Sequence, residues 1–341
     1  ATSATGVQVI DLSDPANPSF LSTIDLVGLG LVTNQVSSIA VKDGVLAACV
    51  IASPKTANGQ VAFIDAATGA LLGMATVGSN PDQLVFIPDG SKLLVANEGE
   101  LVADPADDVT PGGVSIVDLS GGYANPTVTT VGFAAFNDQA AELKAAGVRL
   151  FEGGVPEFDF EPEYFAVAPD GLSAMVTLQE ANAVALLDLV TEAFTDIVPL
   201  GEKDFLALQA DFSDRDGNGG SALVNPMYGH PVYGLYMPDA IASYSVGDDV
   251  YYVTANEGDD RDDFLPAQET IRVGDEAYDL DDTAFPDEEL LKSASELGRL
   301  TVSNAPGLRG DTDGDGDIDR ILALGGRSFS ILDELGNIVF D

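Results

Sequence analysis

The sequence is poor in the side chains that build disulfides and nitrogen-ligated metal sites. Its 341 residues include one cysteine, one histidine and no tryptophan. A single cysteine, Cys49, excludes an intrachain disulfide, and a single imidazole, His230, excludes a zinc site built from several histidines. Cys49 lies in the apolar segment VLAACVI (residues 45–51), which predicts a buried thiol in a strand rather than a reactive one.

Long apolar runs and positive charge are also scarce. No run reaches the roughly 18 apolar residues of a membrane-spanning helix, so we expect no direct membrane insertion. Fourteen Lys and Arg residues face 56 Asp and Glu residues, a formal net charge of -42. This excess opposes binding to phosphate backbones and excludes nucleic acid as a partner. It suits divalent cations and a saline exterior, which predicts a secreted, extracellular or cell-surface protein.

Short segments rich in Val, Ile, Phe and Tyr recur along the whole chain, and each is flanked by Gly, Pro, Asn or Asp residues. This pattern predicts an all-β protein. The segments fall into groups of four that align with one another. Because four-stranded units that repeat along a chain bury their faces against neighbouring units, the sequence predicts a β-propeller.

The groups give the predicted blade boundaries. A half-blade at residues 6–26 matches the third and fourth strands of a unit, and four blades follow it at residues 36–77, 82–133, 163–199 and 239–341. The last blade carries an insertion at residues 256–327. These are about four and a half blades of one domain, so we expect the rest of the chain or a second chain to supply the missing blades.

Few segments favour helix. Residues 135–147 (AFNDQAAELKAAG) are the best candidate, with a glycine at the end, and residues 287–297 are the second. Long loops are predicted at residues 133–160, 201–237 and 256–327. Since insertions at blade edges often carry function, a protein or glycan partner is expected at these loops.

A run of alternating aspartates is the strongest candidate for a metal site. Asp311, Asp313, Asp315, Asp317 and Asp319 take positions 1, 3, 5, 7 and 9 of an EF-hand-type loop, and Gly316 takes the sharp turn. Position 12 is Leu322 rather than the bidentate Glu, so a dockerin-like or repeat-type loop fits better. Oxygen donors without nearby His or Cys select calcium.

A second, weaker copy of this pattern lies at residues 214–220 (DRDGNGG). Asp214, Asp216 and Asn218 take positions 1, 3 and 5, and a glycine follows at position 6. Two interpretations of this segment remain: a calcium-binding loop and an ordinary glycine-rich loop.

A further acidic group emerges when the blades are superimposed. The first strand of a blade begins, and the second strand ends, on the same rim of the central channel. Three successive blades place acids at these positions: Asp82, Glu98, Glu163, Glu180, Asp239 and Glu257. Carboxylates that converge on one channel mouth need cations or protons, so a calcium-lined channel and a solvated set of acidic loops are both open. The segment 259–263 (DDRDD) is expected to overhang this mouth.

Five short phrases carry a family resemblance: residues 9–18 (VIDLSDPANP), 95–100 (VANEGE), 254–262 (TANEGDDRD), 279–285 (DLDDTAF) and 325–331 (GGRSFSI). Together they resemble the choice-of-anchor I family of secreted or surface-attached bacterial β-propeller proteins. Some members carry the name alkaline phosphatase, and the family is related to the mesenchyme-specific cell-surface glycoprotein. The resemblance covers nearly the whole chain and implies about seven blades in the complete protein. It implies no catalytic residues.

Two functions are compatible with these residues. The first is a calcium-binding, secreted or cell-surface propeller that acts as an interaction, adhesion or assembly module. The alternative is a calcium-dependent extracellular phosphatase or phosphodiesterase, similar to alkaline phosphatase or phytase, in which cations at the mouth orient a phosphate. Its weak catalytic candidates are Asp239, Glu257 and Arg261. The residues favour the first function, because the Arg and Lys residues that phosphate recognition recruits are scattered in sequence.

Overall fold

The computed structural model describes residues 2–3, 6–31, 35–99, 110–151, 154–261, 269–305 and 307–341. Three sheets within this part are consecutive four-stranded antiparallel meanders. The first contains β4 (Gln35–Lys42), β5 (Val45–Ile51), β6 (Asn58–Asp65) and β7 (Leu71–Ser79). The second contains β8 (Pro81–Phe86), β9 (Lys92–Asn97), β10 (Gly113–Asp118) and β11 (Thr127–Gly132). The third contains β12 (Pro162–Val167), β13 (Ser173–Leu178), β14 (Ala183–Asp188) and β15 (Ala193–Pro199).

Two further sheets complete the series. The N-terminal sheet has three strands, β1 (Thr2–Ser3), β2 (Gly6–Asp11) and β3 (Ser19–Asp25). The C-terminal sheet has four strands, β18 (Pro238–Val246), β19 (Asp249–Asn256), β23 (Ser328–Leu332) and β24 (Ile338–Phe340). The predicted grouping into four-stranded units is therefore confirmed, whereas the number of blades in the complete protein stays a prediction.

The position of a strand in its sheet explains its composition. Every residue of β5, the apolar second strand of its sheet, is buried, whereas five of the six residues of β11, a fourth strand, are exposed. Cys49 lies in β5 and is fully buried, as predicted, and burial raises the pKa of its thiol. A second strand has neighbours on both sides and packing on both faces, so it favours apolar side chains.

The sheets succeed one another around a common axis. The first strands of neighbouring sheets contact each other: β4 contacts β8, β8 contacts β12, and β12 contacts β18. Apolar clusters fill the spaces between sheets; Phe63 and Leu93 belong to one such cluster, and Ile116 and Phe165 belong to the next. This radial repetition of sheets with their first strands innermost is the architecture of a β-propeller.

The segments between the third and last sheets form a sheet of their own. Its strands, in spatial order, are β16 (Glu202–Asp204), β17 (Val232–Leu235), β22 (Ile321–Leu324), β21 (Thr301–Ser303) and β20 (Thr270–Arg272). β17 and β22 are parallel neighbours, and the other pairs are antiparallel. Tyr278, Leu297 and Ile318 are fully buried in a separate apolar core beneath this sheet. We call this unit the inserted sheet.

The inserted sheet corrects the prediction that residues 201–237 and 256–327 are loops. Its strands are only three or four residues long, too short for alternation to be read, and acidic turns separate them.

Helices are short, as expected. The predicted helix at 135–147 forms as a 3-10 helix (Ala134–Gln139) followed by α1 (Ala140–Ala146), and it ends at Gly147 in the left-handed conformation. A single turn, α2 (Pro156–Asp159), follows. Of the predicted helix at 287–297, only the turn α3 (Glu288–Leu291) forms. After it, the backbone N–H of Leu297 donates to the carbonyl of Leu291, and that of Gly298 donates to the carbonyl of Ser293, so the chain closes a tight bend.

Candidate functional site

The channel mouth is built by the ends of the inner strands. In each of three sheets the start of the first strand pairs with the end of the second: Pro81 with Asn97, Pro162 with Leu178, and Pro238 with Asn256. Each of these pairs is followed by a register shift that ends the regular ladder at the rim. The acids that follow these prolines or the second strands therefore lie on one side of the molecule.

Three of the predicted acids meet directly. Asp82, Glu98 and Glu163 each place a carboxylate oxygen within 4.8 Å of those of the other two. Asp82 and Glu98 belong to the second meander, and Glu163 belongs to the third. We call these three residues the mouth triplet; it bridges two neighbouring blades.

Burial and mutual repulsion raise the pKa values in the triplet. Burial, with the charge of Asp239, raises the pKa of Asp82 to about 6. Burial and the charge of Asp82 raise the pKa of Glu98 to about 9. The pKa of Glu163 lies well above its usual value, because the side chain is buried and because Glu180 and Glu98 are close. Carboxyl groups in this state need protons or a cation.

Glu180 lies beside the triplet, two residues beyond the end of β13. Its side chain is 7% exposed, and its Oε2 atom has no hydrogen-bond partner among the described residues. The Nη2 atom of Arg261 is 3.8 Å from Oε2, too far for a hydrogen bond. Burial raises the pKa of Glu180 to about 8, although Arg261 opposes the shift.

The third predicted pair lies next to the triplet rather than in it. Burial, Glu257 and Asp259 raise the pKa of Asp239, whose charge in turn acts on Asp82. Glu257 and Asp259 are exposed. Asp262 and Asp263, the last acids of the predicted overhang, lie outside the described residues.

Arg261 is held in a buried network that the sequence did not reveal. Its guanidinium pairs with Asp159 and Glu161, both at 2.8 Å, and stacks over the ring of Phe151 at 4.7 Å. The side chain is only 3% exposed. No repeat pattern marks this network, because Asp159 and Arg261 are 102 residues apart in the sequence.

Arg149 extends the same network towards the inserted sheet. It pairs with Glu269 at 2.9 Å and donates to the hydroxyl of Ser303 at 3.1 Å and to the carbonyl of Glu180 at 2.9 Å. The side chain is 4% exposed. Both arginines are therefore engaged by carboxylates beneath the mouth.

The aspartate loop also gathers its oxygens. Asp311, Asp313 and Asp315 place carboxylate oxygens within 4.8 Å of one another. Gly316 adopts a φ of 111°, which agrees with the predicted sharp turn. The Oδ1 atom of Asp317 is buried without a hydrogen-bond partner among the described residues. Burial and the neighbouring Asp315 raise the pKa of Asp317 to about 6.

The remaining loop residues fix the shape of the turn. Asp319 accepts hydrogen bonds from the backbone and hydroxyl of Thr312, at 2.6 and 2.8 Å, so its carboxylate closes the loop. Ile318 is fully buried and forms a parallel bridge with Leu280. Leu322, at position 12, lies in β22 and belongs to a strand rather than to the loop.

The second predicted loop is arranged differently. Asp214 accepts hydrogen bonds from Arg299 at 2.6 and 3.1 Å, and Asp216 accepts one from the backbone of Leu223. The bond to Arg299 lowers the pKa of Asp214. The backbone carbonyl of Asn218 accepts a hydrogen bond from the hydroxyl of Ser221. Arg299 therefore supplies a positive charge beside Asp214, and calcium binding by this segment stays a prediction.

The architecture and the mouth together define a β-propeller protein with an acidic channel mouth. The sequence model of the choice-of-anchor I domain family matches residues 1–341, so the chain belongs to this family, as its motifs suggested. No helix in the described part of the chain is long and apolar enough to cross a membrane.

Three solved structures are similar to this chain at low identity. Hydrazine synthase of Kuenenia stuttgartiensis is 16% identical, with a TM-score of 0.43 over 74% of this chain and 62% of that one. The β-propeller domain of Cps50 (Swd1) of Myceliophteria thermophila is 9% identical, with a TM-score of 0.42 over 73% and 59%. A functionally unknown protein of Desulfotomaculum acetoxidans is 10% identical, with a TM-score of 0.39 over 74% and 59%. The chain thus spans less than two thirds of each, and no curated protein matches it.

Proposed function

We propose that the protein is a calcium-binding β-propeller module of a secreted or cell-surface protein, acting in interaction, adhesion or assembly. The observation that carries the proposal is the loop 311–319. Three carboxylates meet there, a glycine makes the turn, and the buried Oδ1 atom of Asp317 has no hydrogen-bond partner in the described part of the chain. Calcium takes six to eight oxygen ligands and would satisfy all of these groups.

The chemistry of the loop favours calcium over other metals. Every side-chain donor is a carboxylate oxygen, and residues 311–319 contain no His or Cys. Hard donors of this kind select calcium or magnesium, and calcium, the larger ion, accepts a less regular set of ligands than magnesium does. Extracellular modules bind calcium at submillimolar to millimolar concentrations, which fits the net charge of -42 and a saline exterior.

Calcium in this loop would act on structure rather than on a substrate. Ile318, within the loop, is anchored in the core of the inserted sheet. A bound ion would therefore stiffen the inserted sheet, which contains much of the predicted partner-binding segments 201–237 and 256–327. A protein or glycan partner is proposed for these segments and for residues 133–160.

The alternative is a calcium-dependent phosphatase or phosphodiesterase at the mouth. Its support is the cluster of acids with raised pKa values, a frequent property of active sites. The engagement of Arg149 and Arg261 weighs against it, because each buried guanidinium already pairs with a carboxylate and is not free for phosphate.

The proposal is tested by removing two carboxylates from the loop. The double variant Asp313→Ala with Asp315→Ala is expected to show a smaller rise in melting temperature with calcium than the wild-type protein, because it loses the part of the rise that binding to the loop supplies. The matched control, Asp248→Ala with Asp249→Ala, removes two charges from an exposed turn outside either cluster and should keep the calcium response. Equal calcium responses in all three proteins would refute the proposal.

The alternative has its own test. Hydrolysis of a phosphomonoester and a phosphodiester is measured with calcium and with a chelator. Calcium-dependent turnover that disappears in folded Asp239→Ala or Glu257→Ala protein would favour the enzyme. The proposed module function expects no turnover.

A further inference from the structure

We infer that the channel mouth holds a second divalent cation, coordinated by the carboxylates of Asp82, Glu98 and Glu163. The chemical class is a hard cation, and we assign calcium. This site lies on the propeller rim and is independent of the loop 311–319.

The first argument is the geometry of the mouth triplet. Three carboxylate oxygens from two neighbouring sheets lie within 4.8 Å of one another, and all three side chains are only partly exposed. Charged groups at this spacing in a partly buried site repel strongly, since little water screens them. A folded protein that retains such an arrangement must either protonate these carboxyls or place a cation among them, and the oxygens are close enough to share one cation.

The second argument comes from two buried side chains beside the triplet. Glu180 is more than nine-tenths buried; its Oε2 atom has no hydrogen-bond partner among the described residues and lies 3.8 Å from the Nη2 atom of Arg261. Asn80 is 2% exposed and donates its amide to the Oε2 atom of Glu98, yet its own Oδ1 atom is unpartnered. Buried polar oxygens are seldom left without partners, and the side chain of Asn80 lies at the triplet through its bond to Glu98, so its free oxygen points to a missing ligand at this site.

The third argument is the charge balance. Among the described residues, the positive charges that act on the acids of the mouth come from Lys55, near Glu98, and Arg261, near Glu180. Arg261 is also shared with Asp159 and Glu161. When the mouth carboxyls are ionised, their negative charge therefore exceeds the positive charge that the described part of the chain places beside them.

The donor set identifies the kind of cation. The triplet, Glu180 and Asn80 offer carboxylate and amide oxygens without nitrogen or sulfur ligands. Such donors suit calcium, magnesium or manganese, and calcium best tolerates an irregular set of ligands. A cation here would join the second meander to the third at the channel rim.

The test counts binding sites by calorimetric titration of metal-free protein with calcium chloride. Wild-type protein is expected to bind two ions. Glu98→Gln with Glu163→Gln should bind only one, in the loop, and Asp313→Ala with Asp315→Ala should bind only one, in the mouth. Asp248→Asn, which removes an exposed carboxylate outside the triplet and outside the loop, should still bind two. The two double variants separate failure of the mouth site from failure of the loop site.

Some outcomes would overturn the inference. If the Glu98→Gln with Glu163→Gln variant binds as many ions as the wild type, the mouth carboxyls hold only protons. If the Glu98→Gln with Glu163→Gln variant fails to fold, a second measurement on the wild-type protein replaces it. Crystals of the wild-type protein soaked in manganese chloride should give an anomalous peak among Asp82, Glu98 and Glu163. A peak at the loop with none at the mouth would equally reject the site.

Discussion

One aspartate recurs at the same place in every sheet of the propeller. It ends or directly follows the third strand, or the equivalent strand of the N-terminal sheet, and its Oδ1 atom accepts the backbone N–H two residues later. These aspartates are Asp11, Asp65, Asp118, Asp188 and Asp333. An aspartate that bonds in this way fixes the turn to the next strand. The residue is thus a repeated structural device, and much of the acidity of the chain serves its turns.

Asp188 allows this role to be tested through pH. Hydrogen bonds from the backbone of Thr191 and of Val190 lower its pKa below the usual 3.8. A group whose folded-state pKa is depressed adds stability above its unfolded-state pKa and loses it as the pH falls through the folded value. We therefore expect Asp188→Ala to lower the melting temperature at neutral pH, and the difference from wild type to shrink as the pH falls through the depressed folded-state pKa of Asp188.

The matched control is Asp188→Asn, which keeps an oxygen acceptor without the charge. It should melt between the other two proteins at neutral pH and lack the charge-linked pH dependence. A difference between Asp188→Ala and wild type that stays constant down to strong acid would contradict the assigned role.

At the scale of elements, the sequence predicts the blades well and the inserted sheet poorly. The blade strands repeat, and their apolar second strands, such as β5, are buried on both faces. The inserted sheet offers no such repetition, since β17 and β22 are distant in sequence and pair in parallel. In the sequence, the core of the inserted sheet appears only as isolated apolar residues, such as Tyr278 and Ile318, between acidic segments.

Ile318 tests whether this core supports the loop. The residue is fully buried, and truncating a buried isoleucine to alanine costs about 2–5 kcal/mol of unfolding free energy. We expect Ile318→Ala to destabilise the protein by this amount and to weaken calcium binding by the loop, because Asp317 and Asp319 flank it. Denaturant unfolding and calcium titration provide the measurements.

Leu290→Ala serves as the control, because Leu290 lies in α3 and is 59% exposed. Surface substitutions of this kind change the unfolding free energy by within about 0.5 kcal/mol. If both variants lose the same stability, the inserted sheet lacks the independent core described above.

At the scale of the whole molecule, Arg261 connects the blades to the inserted sheet. It pairs with Asp159 and Glu161, which precede the third meander, and its backbone N–H donates to Glu269, which precedes β20. Superimposing the blades predicted which acids share the rim, because rim positions repeat. It did not predict that Arg261 is buried beside these acids, because the network around Arg261 occurs once and joins distant segments.

Removing the guanidinium of Arg261 should destabilise the protein. Arg261→Met leaves Asp159 and Glu161 buried without their partner, and breaking a buried ion pair in this way costs about 3–5 kcal/mol of unfolding free energy. The control is Arg215→Met, since Arg215 and its partner Asp214 are 43% and 49% exposed. Such a surface pair contributes about 0–1 kcal/mol. Denaturant unfolding of the two variants measures the contrast, and equal losses would contradict the structural role of Arg261.

The inserted sheet also sets the order in which the last blade is completed during synthesis. β18 and β19 are neighbours in sequence and form a hairpin as soon as both have been made. β23, the partner of β19 on its other side, follows the whole insertion, so the ribosome must first release residues 257–327. Until then one edge of β19 is open to pairing with other chains. Once β22 has been made, its parallel pairing with β17 places the start of β23 close to the blade that it completes.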